Sequence, residues 1–145
     1  MQPKKVVELV LNGNIPSKKN SRINRKDGVS FPSKKYAEWQ KYALQAVRLQ
    51  THARFFNPVS IEVLIYFGTD ARADLDNRLT SIFDMLVDAL VLCDDKWQNI
   101  PIIQLEAKYR PRNPGAFIRI TELPSDILGA ELAATRLKRK PKKLP

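Results

Sequence analysis

A single apolar stripe in the middle of the chain limits the fold more than any other feature of the sequence. Its members recur at i, i+3, i+4, i+7, i+8 and i+11, and they are Leu79, Ile82, Phe83, Leu86, Val87 and Leu90. This spacing places all of them on one face of a helix with about 3.6 residues per turn. The sequence therefore predicts an amphipathic helix over residues 76–91, which must bury this face against another element.

Segments with strand character lie on both sides of this helix. "KVVELVL" at residues 5–11 and "VSIEVLIYFG" at 59–68 are rich in β-branched residues and lack a helical period. "NIPIIQLEAKYR" at 99–110 and "AFIRITEL" at 116–123 flank "PRNPG", which predicts a hairpin. The helical segment at 76–91 thus stands between predicted strands.

Two further helices complete the predicted order. Residues 33–53 have helical periodicity with Ser33 as an N-cap candidate, and residues 125–140 form a last helical segment. Residues 12–32 are expected to be a loop with a short extended piece at "GVSFP". The order β-α-β-α-β-β-α predicts an α/β (α+β) fold with a mixed sheet of about four strands and helices packed on it. We expect one domain over 1–124, then a C-terminal helix and basic tail over 125–145.

Composition excludes several classes of protein. A chain of 145 residues suits a single domain with its own core. Cys93 and His52 are the only residues of their types, which excludes an internal disulfide and a Cys/His zinc site. Cys93 is expected to be a buried packing residue. No stretch approaches the roughly 20 apolar residues that span a bilayer, so we expect a soluble cytoplasmic protein.

Basic residues are concentrated towards the two ends of the chain. Residues 1–35 carry nine basic and two acidic side chains, and residues 125–145 carry six basic and two acidic. Such arms suit a polyanion, because each neutralised phosphate releases counterions. Solvation explains the C-terminal arm equally well, whereas for the N-terminal loop we favour contact with DNA phosphates. The candidate DNA-binding residues are Lys18, Lys19, Asn20, Arg22, Arg25 and Lys26.

Acidic residues are concentrated between these arms. Residues 70–95 contain seven Asp and two basic residues. Asp74 and Asp76 are two apart, so both side chains would leave the same face of an extended segment that leads into the helix. A capping role could explain Asp76, but it does not explain Asp74 or the Asp94–Asp95 pair beyond the helix.

The predicted helix separates these two acidic groups. A helix of about 15 residues is roughly 22 Å long, so Asp95 can approach Asp74 and Asp76 only if the chain folds back after Leu92. Unit charges about 4 Å apart repel by about 4 kcal/mol at an effective dielectric constant near 20. A converged cluster would therefore need a cation, and carboxylate oxygens suit Mg²⁺ or Mn²⁺.

Three segments resemble the RusA family of Holliday junction resolvases. "ADLDNRLTSIFDMLVDALVLCDD" is similar to the family pattern of an Asp-x-Asp-Asn that opens a helix, an Asp-Ala-Leu-like segment and a following Asp-Asp pair. "IPSKKNSR" and "FPSKKYAEW" resemble the family's Pro-Ser-Lys-Asn loop and the start of its first helix. The resemblance covers most of residues 8–120.

The resemblance implies a small homodimeric, Mg²⁺-dependent endodeoxyribonuclease. Such an enzyme binds four-way branched DNA and resolves Holliday junctions by paired symmetric nicks in recombination and repair, without a membrane partner or a small-molecule cofactor. Carried over by position, Asp74, Asp76 and Asp95 fall on the family's catalytic, metal-binding carboxylates. Asn77 and Asp94 stand beside them as supporting residues.

One position departs from the family pattern. Four residues after the second Asp the family usually has a Lys, and Thr80 occupies this position. A Lys there would lie one turn from Asp76, where it would stabilise phosphate charge or balance the carboxylates. Arg72 and Lys96 are the candidates to supply this charge from another direction. Arg78 is a poorer candidate, because it lies about 200° around the helix from Asp76.

Two alternatives to an active resolvase stay open. The chain could be a RusA-like protein that binds branched DNA and cuts it weakly or not at all, because Thr80 replaces a basic residue. It could also be a basic nucleic-acid-binding protein without enzymatic activity, whose aspartates cap and solvate a helix.

Overall fold

Two helices and six strands make up the part of the chain that the structure describes. The structure is a computed structural model, and it describes residues 4–17, 22–24, 28, 30–70 and 72–129. The elements are β1 (Val6–Asn12), β2 (Arg22–Asn24), β3 (Ser30–Pro32), α1 (Lys34–Gln50), β4 (Val59–Phe67), α2 (Leu75–Asp88), β5 (Ile102–Tyr109) and β6 (Gly115–Glu122). The α+β class and the predicted order of the main strands and helices are confirmed.

Four strands form the central sheet in the order β1-β6-β4-β5. β6 is antiparallel to both of its neighbours, whereas β4 and β5 are parallel. A parallel pair needs a crossover connection, and the chain makes it through α2. The mixed sheet that the sequence predicts is thus present, with the β4-α2-β5 unit at one edge.

The predicted hairpin of β5 and β6 is wrong, because β4 lies between these two strands. The connection after β5 passes over the carboxyl end of β4, where the Arg110 N–H donates a hydrogen bond of 2.8 Å to the Phe67 carbonyl. The Arg110 guanidinium also lies 3.4 Å from the centre of the Tyr66 ring. These contacts hold the short connection across the end of a strand.

The hydrophobic core lies between the sheet and the two helices. Every second residue of β4 from Val59 to Ile65 is buried, as expected for a strand with one face towards a core. Ile82, Met85 and Leu86 of α2 are fully buried in the same cluster. The stripe that predicts α2 is therefore the surface that attaches this helix to the sheet.

Helix α1 begins as predicted. The Ser33 hydroxyl accepts a hydrogen bond of 3.2 Å from the Tyr36 N–H, so Ser33 is the N-cap. The helix ends at Gln50, earlier than predicted, because Thr51 is already extended with φ −155° and ψ 149°. Tyr36 and Trp39 are buried in the core.

Helix α2 runs from Leu75 to Asp88 and also ends before its predicted limit. Leu90 adopts a left-handed conformation with φ 63°, and the Val91 N–H donates a 3.0 Å hydrogen bond back to the Leu86 carbonyl. The chain therefore reverses direction at Leu90, although Leu90 still fits the helical spacing of the apolar stripe. Cys93, expected to be buried, is exposed because it follows this reversal.

The ends of the chain differ from expectation in two places. Within 12–32, β3 coincides with the expected extended piece at "GVSFP", whereas β2 lies where a loop is predicted, and the two pair to form a small antiparallel sheet. Residues 125–128 form a turn, and the rest of the predicted helix at 125–140 lies outside the described residues except for Gly129. No helix in the described ranges is long and apolar enough to cross a membrane.

Candidate active site

Asp74 stands at the N-cap of α2, but its carboxylate does not cap the helix. The Asp74 Oδ2 atom instead accepts a hydrogen bond of 3.1 Å from the Asn77 side-chain amide. Asp74 is exposed, so this carboxylate is oriented by a neighbouring side chain and open to solvent. The capping explanation therefore fails at the N-cap itself.

Asp76 lies in the first turn of α2 and is exposed. A negative charge is favourable there, because the N–H groups of the first turn point towards it. Asp74 has an extended backbone and Asp76 a helical one. The prediction that both side chains leave the same face of an extended segment is therefore wrong. The start of α2 holds both of them at the same end of the helix.

At the start of α2, Arg78 brings a positive charge close to Asp74, whereas Thr80 brings none. The exposed Thr80 hydroxyl donates a hydrogen bond of 3.1 Å to the Asp76 carbonyl, so it supplies a polar contact and no charge. Arg78 Nη1 lies 3.5 Å from the Asp74 carbonyl oxygen. Arg78 is a poor candidate for the missing cation when its position around the helix is compared with that of Asp76. Its i+4 spacing from Asp74, however, predicts the contact with Asp74.

The Asp94–Asp95 pair lies in the connection after α2. The Asp95 N–H donates a hydrogen bond of 2.8 Å to Asp94 Oδ1, and this bond lowers the pKa of Asp94. Burial raises the pKa of Asp95, and the neighbouring Asp94 side chain raises it further. Lys96 Nζ lies 3.5 Å from Asp94 Oδ2, so Lys96 supports this pair.

The two acidic groups lie at opposite ends of the β4-α2-β5 unit. Asp74 and Asp76 follow the carboxyl end of β4, where α2 begins. Leu92 forms a bridge with Phe55, and the Val59 N–H donates to the Asn99 carbonyl at 2.9 Å, so the segment after α2 lies beside the amino end of β4. The chain does fold back after α2, but it does so at the far end of the helix.

This separation means that one chain does not assemble the predicted carboxylate cluster. Within the described ranges, no group of three or more His, Cys, Asp or Glu side chains is close enough to hold a metal ion. Asp88 turns instead towards α1, where it accepts a hydrogen bond of 2.7 Å from the Gln40 side chain.

A shallow cleft lies at the carboxyl ends of β4 and β5. It is lined by Phe67, Thr69, Asp70, Ala73, Ala107, Lys108 and Tyr109. Ala73 directly precedes Asp74, so the carboxyl end of β5 borders the start of α2. Arg72, one of the candidate cations, is exposed next to this cleft.

The N-terminal arm is attached to the same helix. The Ser81 hydroxyl donates a hydrogen bond of 2.7 Å to the Pro16 carbonyl, and Ser17 is buried. Of the predicted DNA-binding residues, only Arg22 lies in the described ranges, in β2, and its backbone alone is described. Lys18, Lys19, Asn20, Arg25 and Lys26 lie outside them.

Comparison with known proteins gives a family match over most of the chain. The sequence profile described as endodeoxyribonuclease RusA matches residues 12–121. This range runs from the end of β1 into β6 and includes both acidic groups. Comparison with curated proteins gives no match. Because the profile covers well over half of the 145 residues, the chain belongs to the RusA family of endodeoxyribonucleases.

Proposed function

We propose that the protein is a metal-dependent endodeoxyribonuclease that resolves Holliday junctions by paired symmetric nicks. The observation that supports this most directly is the start of α2, which lies inside the range matched by the family. Two exposed carboxylates stand there, and the one at the N-cap is held by Asn77 and does not serve the helix. A structural role leaves that arrangement unexplained.

Asp74, Asp76 and Asp95 are the proposed metal ligands. Carboxylate oxygens are hard donors that suit Mg²⁺ or Mn²⁺, so the chemistry of this donor set fits such an ion, whereas within one chain Asp95 lies at the far end of α2 from the other two. When bound, the ion would supply Lewis acidity for the hydrolysis of a phosphodiester. The amide of Asn77 keeps the Asp74 carboxylate in one orientation, and Arg78 adds positive charge beside it.

The basic N-terminal arm is the proposed DNA-binding element. Its root at residues 15–17 is buried against the fold and is tied to α2 by Ser81. Lys and Arg side chains beyond this root would contact phosphates, which positions the DNA without reading its sequence. Two protomers related by a two-fold axis would match the symmetry of a four-way junction.

A junction-cleavage assay tests this proposal. Wild-type protein should nick a synthetic four-way junction symmetrically when Mg²⁺ or Mn²⁺ is added and should leave linear duplex intact. Asp74→Asn should lose cleavage by at least about 100-fold and keep both its melting temperature and its junction binding. Asp126→Asn, at an exposed carboxylate in the 125–128 turn, is the matched control and should cut normally. Wild-type protein that binds the junction but never cuts it would contradict the proposal.

Weak or absent cleavage is the second candidate function, and Thr80 is the observation that favours it. Its hydroxyl is bonded to the helix backbone, so the position where the family usually has a Lys carries no charge. The same assay separates the two candidates by rate. Junction binding with metal-dependent cleavage only after a cation is introduced at residue 80 would select the second.

A further inference from the structure

A cleft with basic walls lies where the carboxyl ends of α1 and α2 meet, and we call it the α1–α2 cleft. Its volume is about 330 Å³. Arg48, His52 and Arg54 line it from α1 and the segment that follows, and Ala89 and Leu90 line it from the end of α2. Three of these side chains can carry positive charge, and none of the residues that line the cleft is acidic. The cleft is therefore a concave surface with one sign of charge.

The cations of this cleft are not neutralised by the described part of the chain. Arg48 and His52 are exposed, and no ion pair joins them or Arg54 to a carboxylate within those residues. The Nε atom of Arg54 is shielded from solvent and has no hydrogen-bond partner there. Asp88, at the end of α2, turns away and accepts a hydrogen bond of 2.7 Å from the Gln40 side chain. A shielded guanidinium without a partner favours an anion from outside the fold.

A structural role at the helix ends explains only one of the three cations. Arg48 lies in the last turn of α1, where positive charge is favourable because the free carbonyl groups of the helix end face it. His52 and Arg54 lie beyond the helix. Among the described residues, neither side chain donates a hydrogen bond to a helix carbonyl. Stabilisation of α1 therefore leaves two of the cations unexplained.

The segment after α1 is held in place before any ligand binds. The Ala53 N–H donates a hydrogen bond of 3.0 Å to the Thr51 hydroxyl, and the Arg54 carbonyl accepts one from the Lys5 ammonium group. The Arg54 guanidinium lies 5.2 Å from the centre of the Phe56 ring. Because its backbone and one of its cations are fixed in this way, the cleft can receive an anion with little loss of conformational freedom.

The same segment runs beside the loop that carries Asp95. The Phe55 N–H donates a hydrogen bond of 2.9 Å to the Val91 carbonyl, and Cys93 Sγ lies 3.4 Å from the Phe55 carbonyl oxygen. The Asp94–Asp95 pair follows Cys93 directly. An anion in the α1–α2 cleft would therefore be held on the side of the fold where this acidic pair lies.

DNA is the polyanion that suits this cleft. The chain belongs to a family of endodeoxyribonucleases, and basic side chains that line a groove contact the phosphates of such a substrate. Phe56 is 72% exposed beside Arg54, and an exposed aromatic ring next to basic residues is a surface on which bases stack. A small anion would make no use of that ring.

We propose that the α1–α2 cleft binds the phosphodiester backbone of the DNA substrate through Arg48, His52 and Arg54. It would form a second contact with DNA, separate from the N-terminal arm. This inference rests on the proposed function for its ligand, but it requires neither a metal ion nor cleavage.

Junction binding without metal tests the proposal. Arg48→Gln together with Arg54→Gln should weaken binding to a synthetic four-way junction by about 10-fold or more at about 0.1 M salt. The slope of log K against log salt concentration should fall by about two, because each phosphate contact contributes about 0.9. Arg48→Lys with Arg54→Lys keeps both charges and should bind within about 2-fold of wild type. Arg119→Gln removes a positive charge from the opposite face of the sheet and is the control for net charge.

Two results of this measurement would overturn the proposal. An unchanged affinity and salt dependence in the double Gln variant would exclude DNA and leave the cleft to another partner, such as an acidic protein. Equal losses in the Gln and Lys variants would show that packing around Arg54, and not charge, supports binding.

A cross-linking measurement places DNA in the cleft without removing either arginine. Cys93→Ser removes the only cysteine, and His52→Cys then introduces one at an exposed position in the cleft. A photoreactive azidophenacyl group on this cysteine should cross-link to junction DNA. Val10→Cys, at a residue 50% exposed on the face of β1 away from the helices, is the matched control. Equal cross-linking from residues 10 and 52 would refute the site.

The two measurements also separate this site from the nuclease function. If wild-type protein binds the junction through the cleft but never cuts it, the nuclease function fails and the DNA site stands. If wild-type protein cuts and the double Gln variant binds and cuts equally well, the nuclease function stands and the DNA site fails.

Discussion

Ser81 on α2 donates a 2.7 Å hydrogen bond to the carbonyl oxygen of Pro16, which lies 65 residues earlier in the chain. Ser81 is fully buried, and Ser17 next to Pro16 is 4% exposed. The bond therefore fixes the root of the basic arm against the helix that begins with the two carboxylates. The proposed DNA-binding arm and the proposed metal ligands at the start of α2 are therefore attached to the same helix.

Ser81→Ala should weaken that connection. Loss of a buried donor leaves the Pro16 carbonyl without this partner, which costs about 1–3 kcal/mol of unfolding free energy. Urea unfolding measures the loss, and junction binding should weaken as well because the arm loses its anchor. Thr80→Ala is the control, since this exposed hydroxyl bonds to the backbone of its own helix, and it should change the unfolding free energy by much less.

Asn77→Ala should reduce cleavage without unfolding the protein. The Asn77 amide orients the Asp74 carboxylate, and loss of such a partner typically costs about 10–100-fold in metal affinity or activity. The expected signature is a higher Mg²⁺ concentration for half-maximal cleavage with an unchanged melting temperature. Asn57→Ala removes a comparable exposed hydrogen bond, to Glu122, and should leave the Mg²⁺ dependence unchanged.

Thr80→Lys should raise the cleavage rate. The new ammonium would lie one helical turn from Asp76, where it would oppose the negative charge of the carboxylates and the phosphate. Thr80→Gln has a long side chain without charge and separates the effect of charge from that of size. Equal or slower cleavage by Thr80→Lys would indicate that another cation, such as Arg78 beside Asp74, already fills this role.

Tyr36 should make the protein sensitive to alkaline pH. Burial, assisted by the nearby Asp84 carboxylate, raises the pKa of the Tyr36 hydroxyl to about 12 from a usual value of 10.0. The unfolded chain ionises first, so the free energy of unfolding should fall as pH rises from about 10 towards 12. Urea unfolding between pH 9 and pH 11 should show a smaller decline in Tyr36→Phe than in wild-type protein; parallel declines would contradict the assignment.

Gly115→Ala should destabilise the sheet. A Cβ at residue 115 would lie 2.3 Å from the Leu11 carbonyl oxygen of the paired strand, so the two backbones would have to separate. Overpacking of this kind costs about 1–3 kcal/mol. A melting temperature equal to that of the wild type would show that β1 can move away without loss.

Local pattern was sufficient to predict the two helices and the four strands of the central sheet. The stripe from Leu79 predicts α2 because a helix can bury those residues only on one face, and Ser33 predicts the start of α1 because its hydroxyl satisfies a free N–H. The end of α2 was not predictable in this way. Leu90 keeps the apolar spacing while its φ of 63° ends the helix.

Pairing and distance were beyond the reach of the sequence. Alternation in β5 and β6 indicates two strands, but it does not reveal that β4 lies between them. For the same reason, the resemblance could select Asp74, Asp76 and Asp95 as candidate ligands but could not give the distances between them. Asp95 lies apart from the other two because β5 runs parallel to β4, and this direction depends on contacts with β4. Arg78 shows the reverse case, since its contact with Asp74 follows from simple i+4 spacing.

The central position of β6 also governs the order in which the protein can fold as it is synthesised. In the described part of the chain, β1 pairs with residues 115–121 at one edge of β6, and β4 pairs with the other edge of β6. A nascent chain on the ribosome therefore exposes both strands, with the apolar side chains of β4, until nearly the whole domain has emerged. Contacts between such distant parts of a chain form slowly. Protection of the exposed β4 strand during this interval would limit aggregation.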